Sequence, residues 1–360
     1  MKIRDRYITK TLLSYTIIVL VVWLGIYSFF NFLSELNSVG EDGYTILSAF
    51  TFIILQLPEV AYQQASPIIL LGCILGMGHL ATTGQLLILR VSGASILKIT
   101  LLTLKNSLIF VLFFISIGEF LAPISSNLAE RIKLNAIGDS SASLNQGGFW
   151  IRDGDNFINV KKNIDGKLFS GITVIEVDSL NKIKRVIESE NALFDGNSLD
   201  MSGSEIFSID GSSFFDGISL KERNSYDKTV SFDQDLIDSL EKEPKDLSTW
   251  TLIKQIRFLS DNKLRSGVFE VELYNRLIQP ITLIAMILLA MLFIFGATRD
   301  VTLGRKIFFG VALGLSFELL SRVASAMALS FDFSPLLSSI LPSITVMFIS
   351  IILLLRKSFS

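Results

Sequence analysis

Long apolar runs alternate with charged connections along this chain, and the runs predict membrane-spanning helices. Three runs contain no Asp, Glu, Lys or Arg, and each is about as long as the roughly 20 residues that a helix needs to cross a hydrocarbon core; they are 11–34, 277–298 and 333–355. Three further predicted spans are 60–80, about 99–122, which is apolar from residue 106 onward except for Glu119, and 307–331, which is apolar except for Glu318 and Arg322. We therefore predict an α-helical membrane protein with six transmembrane helices.

Lysine and arginine cluster at one set of span ends, and this bias predicts the orientation. The positive-inside rule places these ends in the cytoplasm, so both chain termini are predicted to be cytoplasmic. The basic residues concerned are Lys2, Arg4, Arg6, Lys10, Arg90, Lys98, Arg299, Arg305, Lys306, Arg356 and Lys357.

The apolar stretch that contains the second span is too long for a bilayer. Residues 60–89 carry no Asp, Glu, Lys or Arg, and a straight helix of that length would measure about 45 Å against a core of about 30 Å. We predict a bend at residues 82–84 and a short helix within about 82–93. That helix would either rest on the lipid interface or dock in a groove of a soluble partner.

The connection between the third and fourth spans, residues 134–272, has the short period of β-strands. It holds 24 of the 34 acidic and 16 of the 32 basic residues, which predicts a solvated, net acidic domain outside the cytoplasm. Segments such as GFWIR, NFINVKK, GITVIEVD and IKRVIESE are separated by turn residues, and DGNS at 195–198 predicts a hairpin. Many short strands at this spacing predict an all-β sandwich, barrel or jelly roll between helical halves 1–133 and 273–360.

After the predicted strands, Ser248 can cap a short helix that follows Pro244 and ends near Leu259.

Composition supports the membrane assignment and excludes several common kinds of catalytic site. Half of the residues are hydrophobic, and the mean hydropathy is +0.54. Cys73 and His79 are the single cysteine and histidine, which excludes a histidine-rich metal site and a Ser-His-Asp triad within one chain. There is no G-x-x-x-x-G-K-[ST] segment, so ATP would have to be hydrolysed elsewhere. We interpret His79 as a polar residue at the cytoplasmic interface.

Charged residues inside or beside the predicted spans are candidates for function, because burying a charge in a bilayer is costly. Glu318 and Arg322 are one helical turn apart and either neutralise each other or contact a charged substrate. Arg131 and Lys133, just beyond the third span, either snorkel or pair with Glu130, or they bind an anionic headgroup.

Glycines at four-residue spacing predict close helix contact in two of the spans. The contact would lie either within this chain or with another subunit. The residues are Gly72, Gly76, Gly310 and Gly314.

Five segments taken in order resemble one protein family. They are DRYITK, GQLLILRVSG, GEFLAP, QGGFWIRDGDNFINV and FIFGATRDVTLGRK. In this order they are similar to the LptF/LptG permease family, and within it to the G-type subunits, and the similarity runs along the whole chain.

Members of that family are paired transmembrane subunits of an ABC transporter that extracts lipopolysaccharide from the Gram-negative inner membrane. The resemblance implies an LptF-type mate, a dimer of the ATPase LptB, the single-span protein LptC, and LptA along a periplasmic jelly-roll bridge toward the outer membrane. It also implies a β-jelly-roll for the insert, no cofactor or metal in this chain, ATP and Mg in the partner ATPase, and no nucleic acid.

The resemblance further implies roles for particular residues. The segment after the second span would be the coupling helix, with Gln85, Leu86, Leu89 and Arg90 at the ATPase; many relatives carry an acidic residue where Gln85 stands. Lipopolysaccharide would enter between span one of one permease subunit and span five of the other. The implied substrate contacts are Phe29, Phe30, Asn31, Arg131, Lys133, Phe317, Leu320 and Arg322.

Among these, Arg131 and Lys133 are the preferred phosphate contacts. Some relatives carry lysines in the outer part of span one, whereas this chain has Asn31, Glu35 and Asn37 there.

Two other classes of protein stay open. A membrane-anchored ligand-binding or sensor protein would copurify with no ATPase. A proton-coupled secondary transporter would depend on Glu119 or Glu318, although no internal inverted repeat supports it.

Overall fold

The chain folds as two compact units, Met1–Gly138 together with Glu270–Ser360, and Asp139–Phe269. The structure, a computed structural model, describes residues 3–40, 43–137, 149–163, 167–178, 182–196, 198–208, 219–230, 237, 243–262, 264–295, 303–331 and 333–359.

The first unit is helical. Its helices are α1 Ile3–Glu35, α2 Ile46–Gln63, α3 Ala65–Thr82, α4 Gln85–Val91, α5 Ile96–Ser116 and α6 Ala122–Ile137. A π-helical segment, Ile117–Leu121, joins α5 to α6. After the second unit, whose helix α7 is Thr249–Asp261, come α8 Gly267–Ile294, α9 Leu303–Ser330 and α10 Pro335–Phe359.

Seven helical stretches in the described part of the chain are long and apolar enough to cross a membrane. They are Arg6–Ser38, Ile46–Gln63, Ala65–Thr82, Ile96–Lys133, Gly267–Ile294, Gly304–Ser330 and Pro335–Ser358. The sequence predicts six spans, and the difference arises where it predicts the second one at 60–80. Residues 60–63 belong to α2, which ends beside Gln64, and α3 begins at Ala65.

Helix α3 is the centre of the first unit, because all but two of residues 65–80 are buried. Gly72 and Gly76 bring it against α1, where a Cβ atom on Gly72 would lie 2.9 Å from Thr16 Cα. On α9, a Cβ on Gly314 would lie 2.9 Å from Pro67 Cβ, and a Cβ on Gly310 would lie 2.7 Å from Leu71 Cδ1. The glycine spacing therefore serves close packing within this chain.

The second unit contains one six-stranded antiparallel sheet in chain order. Its strands are β1 Phe149–Asp153, β2 Asn156–Asn163, β3 Leu168–Val177, β4 Ile183–Phe194, β5 Ser198–Ser208 and β6 Ser219–Thr229. The predicted combination of long apolar helices with an inserted β domain is confirmed. The hairpin prediction is also confirmed, because β4 and β5 pair on either side of residues 195–197. Ser248 caps α7 by accepting from Thr251 N–H at 3.1 Å.

A partly buried ion network shows that the sheet curls. Glu176 on β3 accepts from Tyr226 and Lys228 on β6, each at 2.9 Å, although two strands lie between β3 and β6 in the sheet. Arg185 on β4 binds the second carboxylate oxygen at 2.7 Å. Burial alone would raise the pKa of Glu176, but these donors hold its pKa at about 2, below the ordinary 4.5.

We expect Glu176→Gln to destabilise the β domain at pH 7 by roughly 2 kcal/mol, because two cations lose their only carboxylate in this network. Since the folded-state pKa is depressed, the wild-type advantage is complete above pH 4.5 and disappears as the pH falls toward about 2. Urea denaturation of the full chain checks this, followed by Trp150 fluorescence with Trp23 and Trp250 replaced by Phe. Glu188→Gln, at an exposed carboxylate on β4, is the control; equal losses in both variants would contradict the role of the network.

Candidate functional site

Helix α4 is a short helix that follows α3 after a sharp turn. The chain turns at Gly84, whose φ of +74° is in the left-handed region. A side chain there would be strained, so glycine allows α4 to begin directly after the turn. Gln85 Nε2 then donates to the Tyr7 hydroxyl on α1 at 3.0 Å, which fastens the start of α4 to α1.

The two faces of α4 have opposite environments. Leu86 is buried and Leu89 is half-buried, and both pack in the core of the helical unit. Leu87, Ile88 and Val91 are 51%, 68% and 81% exposed. This differs from the sequence analysis, which assigns partner contact to Leu86 and Leu89. Since those two leucines already contact their own chain, the surface that is available to a partner consists of the other three residues, with the exposed Arg90 beside them.

At the far end of α1, four residues form what we call the Glu35 cluster: Glu35, Tyr44, Phe52 and Lys133. Lys133 Nζ lies 2.6 Å from Glu35 Oε1, and the Tyr44 hydroxyl donates to the same oxygen at 2.8 Å. The ammonium group also lies 4.8 Å from the centre of the Phe52 ring. Burial and the bond to Glu35 raise the pKa of Tyr44, so its hydroxyl stays a donor. The cluster joins the end of α1 to α2 and α6.

Arg131 and Lys133 do not form one clamp. Two residues apart on a helix, they point about 200° apart around the axis of α6. Arg131 is exposed, whereas Lys133 is turned toward Glu35. The sequence predicts both residues as phosphate contacts, and the structure directs them to different sides of α6 because the chain is still helical at this point.

The outer part of α1 presents aromatic side chains on its surface. Phe29 and Phe30 are exposed and their rings meet edge to face, with centroids 5.6 Å apart. Asn31 is half-buried, and its amide donates to the Tyr27 carbonyl at 3.1 Å. Of these three predicted contacts, the two phenylalanines are free to meet a lipid.

On α9 the predicted substrate contacts separate in a similar way. Phe317 is buried in the core of the helical unit, which differs from its predicted role, whereas Leu320 is exposed. Arg322 Nε donates to Glu318 Oε1 at 3.0 Å, and the arginine side chain is 68% exposed. The predicted neutralising pair therefore forms, and it does so on the surface of the chain.

Metal-binding side chains are not grouped together in the described ranges. Among those residues there is no group of three or more His, Cys, Asp or Glu side chains that could hold a metal. His79 contacts the Tyr15 ring, with centroids 5.4 Å apart, and Cys73 is buried with its sulfur 3.9 Å from Ser107 Oγ.

The sequence could not single out the exposed face of α4 or the Glu35 cluster. The run Leu86 to Leu89 is apolar on every side, so periodicity does not tell its inner face from its outer face. Glu35 and Lys133 are far apart along the chain, and a single sequence gives no sign that they meet.

Sequence comparison finds relatives over nearly the whole chain. The profile of the family described as "Lipopolysaccharide export system permease LptF/LptG" matches residues 6–356. The Escherichia coli K12 protein named "Lipopolysaccharide export system permease protein LptG" is 25% identical over 363 residues, covering 98% of both chains. The protein of the same name from Haemophilus influenzae is 26% identical over 344 residues, covering 94% of both chains.

Proposed function

This chain belongs to the LptF/LptG family of lipopolysaccharide export permeases, and on that premise we propose that it is the G-type permease subunit of an ABC transporter. It extracts lipopolysaccharide from the inner membrane and passes it to a periplasmic jelly-roll bridge toward the outer membrane. ATP hydrolysis in a partner subunit drives the step. The observation that carries this proposal is the match along residues 6–356, which includes both helical halves and the β domain.

The proposed partners are an LptF-type mate, an LptB-type ATPase dimer that binds ATP and Mg, LptC, and LptA through the bridge. The chain itself is a transporter component rather than an enzyme. Its β domain would be a periplasmic jelly roll, for which the curled antiparallel sheet is suitable.

We propose six passes through the inner membrane, with α2 and α3 together forming one of them. Only Gln64 separates these helices, and one residue is too short a connection to reverse the direction of a helix. An even number of passes puts both termini on the same side of the membrane, and the positive-inside rule makes that side the cytoplasm.

In this orientation α4 lies on the cytoplasmic side, where the exposed face of Leu87, Ile88 and Val91 fits an apolar groove of the ATPase. Leu86, which is buried, and Leu89, which is half-buried, have a different role, because they fix α4 to the helical core. Closure of the ATPase dimer on ATP would thus displace α4 and the helices attached to it.

The lipid pathway would run between α1 of one permease subunit and α9 of the other. Phe29, Phe30 and Leu320 offer apolar surface for acyl chains, and Arg322 and Arg131 offer exposed guanidinium groups for phosphate. Movement of α1 against the mate's α9 would narrow the cavity and expel the lipid outward.

Reconstitution tests this function. The purified assembly in proteoliposomes should release lipopolysaccharide to a soluble acceptor only when ATP is supplied, and the ATPase should copurify with this chain. Release without ATP would indicate a secondary transporter. Copurification of lipid with no ATPase would indicate a binding or sensor protein, and either result would overturn the proposal.

A further inference from the structure

The Glu35 cluster holds a partly exposed cation, Lys133, which is one of the two phosphate contacts that the sequence predicts. The Lys133 side chain is 32% exposed and the Glu35 side chain is 13% exposed, so the lysine still has an open side while the carboxylate is nearly enclosed. The ammonium group has three donors, one of which is directed at Glu35 Oε1 at 2.6 Å. A ligand could therefore reach Lys133 without first unfolding the cluster.

A phosphate that approaches Lys133 would also approach the Glu35 carboxylate. Two anions at such short range repel each other, most strongly where water is partly excluded. The phosphate must consequently displace Glu35 from the lysine or bind more weakly.

Tyr44 makes that displacement possible at moderate cost. Its hydroxyl donates to the same Glu35 oxygen at 2.8 Å, so the carboxylate keeps a hydrogen-bond donor after Lys133 turns away. Without such a donor, Glu35 would be left nearly buried and unpaired, which is the costly outcome for a charged group.

We propose that the Glu35 carboxylate is an internal anion that stays paired with the Lys133 ammonium group until a lipid phosphate displaces it. It thereby restricts the site to lipids with enough phosphate charge to displace a carboxylate. This inference rests on the proposed function, and it concerns how the site selects its lipid. The other interpretation is that the pair only joins α1 to α6.

Glu35→Gln separates the two interpretations, because glutamine keeps an oxygen for Tyr44 and Lys133 but removes the charge. With the full assembly in nanodiscs, we expect binding of diphosphorylated lipid A to become about threefold to tenfold tighter. We expect no change for the same lipid without phosphates. In a Lys133→Met background the gain should disappear. Glu272→Gln is the control, because that carboxylate pairs with Arg276 at 2.9 Å elsewhere in the same unit.

Unchanged or weaker binding by Glu35→Gln would overturn the proposal and leave Glu35 a positioning residue. If that variant does not assemble, Tyr44→Phe provides the test in the opposite direction. It should weaken binding of the diphosphorylated lipid, and unchanged binding would overturn the proposal. A different failure, in which the wild-type assembly does not distinguish the two lipids at all, would instead contradict the proposed lipid site.

Discussion

Replacing Ile88 with Asp is expected to detach the proposed ATPase partner from the purified assembly and to lower its affinity at least about 30-fold, since hot-spot residues at the centre of an interface contribute roughly 2 kcal/mol or more. Ile88 is 68% exposed between Leu87 and Val91, so the side chain is free for a partner and is not needed in the core of its own chain. An aspartate at this position would be buried in an apolar groove without a counter-charge. Titration of the ATPase onto the permease in nanodiscs measures the loss.

Two variants control for indirect effects. Ile88→Leu keeps an apolar surface of similar size and should bind the ATPase normally. Leu86→Ala should lower the stability of the helical unit while leaving the exposed face of α4 unchanged, because Leu86 is buried. Normal ATPase binding by Ile88→Asp would show that this face is not the docking surface, and loss of binding in Ile88→Leu would indicate damage to the fold.

The membrane-spanning elements could largely be predicted from the sequence, because a bilayer allows few charges within a helix. The uncharged run at 11–34 lies within α1, and the runs at 277–298 and 333–355 overlap α8 up to Ile294 and α10 from Pro335; residues 296–298 lie outside the described part of the chain. Helix α2 was harder to predict. Gln56, Glu59 and Gln63 interrupt its apolar pattern, so the sequence showed only its last residues joined to α3.

Side-chain direction could be predicted less well than helix position. Helix α9 is apolar on most of its circumference, and nothing in its pattern shows that Phe317 is buried while Leu320 is exposed. Which side chain of α9 is buried depends on the neighbouring helix α3, which packs closely against α9 at Gly310 and Gly314. The pairing of Lys133 with Glu35 is likewise set by how α1, α2 and α6 assemble.

The Glu318–Arg322 pair leaves a charged group exposed on the surface of α9. Arg322 and Glu318 neutralise each other, but the arginine is largely exposed on a helix that is long and apolar enough to span a membrane. Hydrocarbon is a poor environment for this guanidinium. A phosphorylated lipid or the proposed mate subunit would satisfy it better, in agreement with the lipid pathway that the family resemblance implies along this helix.

Gly72→Leu is expected to destabilise the helical unit by about 3 kcal/mol or more, at the upper end of what overpacking costs. A Cβ atom on Gly72 would lie 2.6 Å from Thr16 Oγ1 and 2.9 Å from Thr16 Cα, so the backbone of α1 itself would have to move away from α3. Gly25→Leu is the matched control, because nothing lies within 4 Å of a Cβ atom there and the residue is exposed on α1. Thermal unfolding in detergent compares the two. Equal stability would mean that α1 can separate from α3 without cost, and α1 would then be too loosely held to transmit a displacement of α4 to the lipid.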